Sequence, residues 1–127
     1  INTVKLLRQE IGADAPLFMC IGMDALSKLN GWHQWQQILD FCHIAVSSRP
    51  GYEQPQAGPL TAWIACHRSD DLRGIKRKPS GCIYFCDLSM LDISSTNIRV
   101  KVGKGDDVRR MLPDSVISYI QKNRLYE

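Results

Sequence analysis

No apolar run in this 127-residue chain approaches the roughly 18–20 residues that cross a bilayer. No signal-peptide pattern opens it either, so the sequence predicts a cytoplasmic protein with no membrane partner. Internal repeats and low-complexity segments are missing, and so are a glycine-rich phosphate loop and the lysine that goes with it. Aromatic residues are few, 8% of the chain. None alternates with the basic run Arg73–Lys78, so the stacking platform of a single-strand nucleic-acid binder is absent and no nucleic-acid partner is expected. Cysteine is too irregular for a disulfide frame: Cys20, Cys42, Cys66, Cys82 and Cys86 are odd in number and scattered. They read as free, buried thiols in a reducing compartment. A zinc set of Cys66, His67, Cys82 and Cys86 is disfavoured because the last two stand four apart on a strand, so no metal site is expected. The first residue is Ile1 rather than Met, which raises the expectation of sequence upstream.

What is present is an ordinary globular composition, 44% hydrophobic and 23% charged, long enough for one domain with a real core. The net charge of +3 is uneven. Residues 1–67 hold four Lys and Arg against five Asp and Glu, whereas residues 68–127 hold twelve against eight. Arg73 to Pro79 reads as a basic, solvated surface loop.

Hydrophobic patterning predicts an amphipathic helix over residues 3–11, capped by Asn2 or Thr3 and closed by Gly12. Leu17 to Ile21 is a continuous apolar run ending in Gly22, the pattern of a strand buried on both faces of a parallel sheet. Short helices follow over 24–29 and 34–41, then a second strand over 43–47. A Pro- and Gly-rich loop extends to about Pro59. A helix over 60–67, a third strand over 82–86, a helix to about Val102 and a last helix over 114–122 complete the chain. In the last helix Val116, Ile117 and Ile120 form the buried face. Alternation of strands and helices gives an α/β fold with a parallel sheet and right-handed crossovers. Ligands bind such sheets beyond the carboxyl ends of the strands. Gly22-Met23-Asp24, Ser48-Arg49-Pro50-Gly51 and Ser94-Ser95-Thr96 all fall there.

The stretch Ile93-Ser94-Ser95-Thr96-Asn97-Ile98-Arg99 opens the penultimate helix. Unpaired backbone N–H groups, hydroxyls and the positive end of the helix dipole suit a phosphate. Arg99, about one turn on, can fork onto the same anion. The same pattern also fits an ordinary capped helix, and spacing alone does not decide between them.

These residues resemble the "ISSTxIR" signature of the adenylyltransferases that make dinucleotide cofactors. Ile21-Gly22-Met23-Asp24-Ala25-Leu26, Trp32-His33-Gln34-Trp35 and Ser48-Arg49-Pro50-Gly51 follow in the order and spacing of bacterial nicotinate-nucleotide adenylyltransferase. The tail Leu112-Pro113-Asp114-Ser115-Val116 through Leu125-Tyr126 is similar to that family's end. The resemblance implies a Rossmann-like nucleotidyltransferase fold, incomplete at its N-terminus, with residues 1–127 as the C-terminal part of a single domain. It implies transfer of the adenylyl group of ATP, with Mg²⁺, to nicotinate mononucleotide. By resemblance Ser94, Ser95, Thr96, Arg99 and Arg49 would hold phosphates, and Gly22 and Asp24 the adenosine ribose. Trp32 and His33 would hold the nicotinate ring and its carboxylate, while core packing remains the other reading of Trp32 and the favoured one of Trp35.

The chain departs from the family at the glycine-rich turn carrying His-x-Gly-His. His33, His43 and His67 all lack that context; His43 reads as structural and His67 as a helix-end residue. The expectation is therefore a chain without catalytic residues of its own, binding nucleotide weakly and not turning over. Another acceptor in the same fold and a non-catalytic nucleotide-binding domain stand as alternatives, and oligomeric state stays open.

Overall fold

The computed structural model describes residues 1–48, 54, 57–86 and 93–127. They form two compact units, Ile1–Met90 and Leu91–Glu127. In the first unit the elements run α1 (Asn2–Ile11), β1 (Phe18–Gly22), α2 (Met23–Ser27), α3 (Ile38–Phe41), β2 (His43–Ser47), α4 (Pro59–His67), α5 (Leu72–Ile75) and β3 (Ile83–Cys86). The second unit holds α6 (Ser95–Lys104) and α7 (Asp114–Lys122).

The three strands form a parallel sheet in the order β1-β2-β3. Its register pairs Cys20 with Ala45 and Ala45 with Tyr84, then Gly22 with Ser47 and Ser47 with Cys86. Paired residues share a face. One face, with Ile44, Val46 and Ile83 fully buried, meets Met23 and Leu26 of α2, Ile38 and Leu39, and Leu60 and Ile64 of α4. These side chains form one contiguous core, and burying a single leucine in it is worth about 2 kcal/mol. The sequence leads one to expect the first strand buried on both faces. Instead β1 lies at an edge of the described sheet with Cys20 exposed, and the central, best-buried strand is β2.

Two side chains fasten the amino end of this sheet. The Arg8 guanidinium donates to the Phe41 carbonyl from Nε at 2.9 Å and from Nη2 at 2.7 Å. It also donates to Pro79 O at 2.6 Å, Gly12 O at 3.0 Å and Ala15 O at 2.5 Å. Thus one arginine ties α1, α3 and the segment before β3 together. His43 is fully buried. Its Nδ1 accepts the Cys82 N–H at 3.1 Å, which leaves Nε2–H to donate to the Lys78 carbonyl at 2.8 Å. The structural reading of His43 is correct, and His67 does end a helix, with Nδ1 2.8 Å from Trp63 O.

Several local expectations need correction. The cap of α1 is Ile1, without a side-chain hydrogen bond, rather than Asn2 or Thr3. The predicted 24–29 helix stops at Ser27 and passes into a 3-10 turn, Leu29–Gly31. That over 34–41 divides into a 3-10 turn, Trp35–Gln37, and the single turn of α3. Gln34 is left-handed there (φ 52°), so no regular helix can begin at it. The basic run contains a helical turn, α5, because the Asp71 carboxylate accepts the Gly74 N–H at 3.1 Å. Helix α6 continues through Gly103 and Lys104 and ends at Gly105, whose φ of 76° suits glycine. In α7 Ile120 is buried, but Val116 is exposed. Of the cysteines only Cys42 is buried; Cys20 and Cys66 are exposed. Most of the Pro- and Gly-rich loop lies outside the described residues.

Candidate nucleotide site

At the carboxyl end of β1 the chain turns directly into α2. Gly22 is both the last strand residue and the helix cap, with extended backbone (φ −82°, ψ 168°). Asp24, in the first turn, folds its carboxylate back under Gly22. A Cβ added at Gly22 would stand 2.5 Å from Asp24 Oδ1. The missing side chain therefore makes room for an exposed carboxylate beside a strand end. Gly22 and Asp24, paired by sequence reasoning, are in contact.

The same sheet edge carries a cavity of about 260 Å³ lined by Cys20, Ile21, Gly22, Ala45, Ser47 and Cys86. Sequence reasoning did not single out Ser47, whose hydroxyl donates to Ile21 O at 3.4 Å. The signal that could have found it is register, since Ser47 sits opposite Gly22. Arg49, expected to hold phosphate, lies outside the described residues.

Trp32 and His33 occupy a separate turn of the first unit. Trp32 is 40% exposed, so core packing does not explain it. Trp35 does pack inward, edge-on to Trp63 with ring centroids 4.9 Å apart. The Trp32 N–H is already used, donating to Leu29 O at 2.9 Å. That N–H is therefore already paired at the position where Trp32 and His33 are expected to hold the nicotinate carboxylate. Among the described residues no intrachain acceptor meets the His33 N–H.

In the second unit the start of α6 is open. Ser94 Oγ accepts the Asn97 N–H at 3.1 Å, a side-chain cap, while Ser95 and Thr96 are exposed. Helix geometry leaves the Ser95 and Thr96 N–H groups without intrahelical partners. Arg99 lies over Thr96, its Nη2 3.5 Å from Oγ1. Among the described residues the ion pairs are Arg68–Asp70 and Arg109–Asp107, and no described carboxylate pairs with Arg99. Two exposed hydroxyls, two N–H groups and one guanidinium on a single helix turn can bind an oxyanion. Ser94 itself is occupied as the cap.

A sequence profile described as cytidylyltransferase-like matches residues 1–101. A probable nicotinate-nucleotide adenylyltransferase of Yersinia pestis (strain Pestoides F) is 42% identical over 127 residues, covering 99% of this chain and 58% of the relative. The protein of that name from Pectobacterium atrosepticum is 38% identical over 128 residues, covering 100% and 60%. The chain thus spans somewhat less than two thirds of the curated relatives it matches. A Plasmodium falciparum nicotinic acid mononucleotide adenylyltransferase complexed with APC superposes with a TM-score of 0.63. Its identity is 16%, covering 98% of this chain and 55% of that one, and the likeness is one of fold. With a parallel sheet flanked by helices and a profile match over most of its length, the chain belongs to the cytidylyltransferase-like family.

Proposed function

We propose that this chain is the C-terminal part of a single nucleotidyltransferase domain that transfers the adenylyl group of ATP to nicotinate mononucleotide, giving deamido-NAD and pyrophosphate. The observation that carries the proposal is the open start of α6, where Ser95, Thr96 and Arg99 offer donors to an anion. The identity to proteins named for this reaction supports the choice of substrates.

In this reading the mononucleotide's 5′-phosphate attacks the α-phosphorus of ATP and pyrophosphate leaves, so no protein nucleophile is needed. The protein holds two anions in line and offsets charge that develops as they react. Ser95, Thr96 and Arg99 take triphosphate oxygens, Ser94 holds the helix start in shape, and Arg49 is a further phosphate ligand in this reading. Gly22 lets the ribose approach the backbone, and Asp24 accepts from its hydroxyls. The Trp32 indole offers a flat face to the pyridine ring, with the His33 N–H nearby.

Magnesium enters with ATP. Among the described residues no group of three His, Cys, Asp or Glu side chains could hold a metal. Bound with ATP, the ion would offset triphosphate charge. In this reading the histidines that stabilise the transferring phosphoryl group belong to the His-x-Gly-His motif, which this sequence does not carry, and the chain alone binds nucleotide without turnover.

Pyrophosphate release from ATP with nicotinate or nicotinamide mononucleotide, measured on the protein extended to its relatives' length, tests the reaction. Preference for the nicotinate form is expected. Equal use of the amide, or none of either, would refute the acceptor. Arg99→Ala should lower kcat/KM by about 2–4 kcal/mol in transition-state stabilisation, and unchanged constants would remove Arg99 from the phosphate site.

A further inference from the structure

The sheet face opposite the core presents two thiols that the nucleotide reading does not use. Cys20, Ala45 and Tyr84 stand in register across the strands, as do Gly22, Ser47 and Cys86 two residues on. Cys20 and Cys86 therefore project to one side, away from Ile44, Val46 and Ile83. They line the same 260 Å³ cavity, whose floor is Gly22, Ala45 and Ser47. Cys20 is exposed and Cys86 is half-buried. The chain supplies its own comparisons: Cys42 is buried in the core, and Cys66 is exposed on α4 and does not line this cavity.

We propose that this cavity is a thiol-modification site, where Cys20 and then Cys86 react with a small electrophile or a low-molecular-weight disulfide. With a disulfide, the Cys20 thiolate attacks one sulfur, and a new S–S bond forms. The second sulfur leaves as thiolate with the electron pair, and the Cys20 proton passes to water. The reagent's disulfide is the oxidant, so the exchange balances without another partner. The two cysteines sit two strand spacings apart across the sheet and two residues apart along it, about 12 Å, too far for a direct bond between them. The cavity thus houses the added group instead of closing across itself. Burial and the neighbouring Cys20 push the Cys86 thiol up, which makes it the slower of the two. An adduct on Cys20 occupies space beside Gly22. By that placement it excludes nucleotide, a consequence that rests on the ribose position proposed above.

The test uses the 127-residue chain, limiting N-ethylmaleimide and peptide mass mapping. Cys20 should label before Cys86, with Cys42 untouched while the chain is folded. The adduct should then slow iodoacetamide labelling of Cys86 by about fivefold or more, with Cys66 unchanged. Cys20→Ser, which leaves the cavity open, should keep Cys86 at its original rate. Equal Cys86 rates with and without the adduct, or Cys42 labelling alongside Cys20, overturn the proposal. Saturating ATP should slow Cys20 relative to Cys66. If the adduct still slows Cys86 but ATP gives no protection, the ribose position fails and the modification site stands.

Discussion

Gly22 shows how a single missing side chain can serve a site. Replacing it with alanine brings Cβ against the end of a flexible carboxylate and not against backbone. Gly22→Ala should therefore change stability by less than about 1 kcal/mol, measured by urea denaturation, while weakening ATP binding about tenfold. Loss of stability without loss of binding would show that the close approach is only structural. Arg8 is the opposite case, a surface-looking cation that spans four carbonyl groups from three parts of the chain. Arg8→Ala should cost about 2–4 kcal/mol of unfolding free energy, because charged hydrogen bonds are lost and partly buried carbonyls are orphaned. A change within 0.5 kcal/mol, roughly the noise of surface substitutions, would contradict that role. Cys42 supplies a pH dependence. Burial raises its thiol to about 11 from the ordinary 9.0. The folded state prefers the neutral thiol, so its contribution is full below pH 9 and is lost as pH rises through about 11. Cys42→Ala should flatten the fall in stability across that window, and an unaltered slope would exclude Cys42 as its source.

The strands were legible because each is a short apolar run bounded by turn residues, and β2 matches its expected span of 43–47. The longer helices were legible from periodicity and punctuation, such as Pro113 before α7. What sequence could not show was decided by contacts between distant residues. Arg8 reaches Pro79 across 71 positions, and no local pattern encodes that bond. The divided helix at 34–41 turns on the backbone of Gln34, a residue with no particular preference for left-handed geometry. At the candidate site the serine cap and the Thr96–Arg99 approach were readable, since spacing on one helix fixes which residues meet. Ser47 was not, because it enters through strand register. Helix α6 offers a direct check of its cap: Ser94→Ala should destabilise the second unit by about 1 kcal/mol, seen as faster amide exchange at Asn97 and Ile98. Unchanged exchange would mean the cap bond carries no weight.

Across the whole chain, burial is unevenly distributed. The core of the first unit is closed on one sheet face, whereas Leu6, Leu7 and Ile11 of α1 and Tyr119 of α7 remain exposed. Exposed apolar side chains, and the edge of β1 that no other described strand pairs, favour self-association. Sedimentation at rising concentration should therefore show reversible growth in mass. The nucleotide reading, in turn, requires the start of α6 to take the phosphates of ATP, and residue-resolved amide NMR during an ATP titration tests that most directly. Dose-dependent shifts at Ser95, Thr96 and Arg99 are the predicted result. A titration that leaves residues 94–99 unmoved, with any shifts confined to the basic run 73–78, would contradict it.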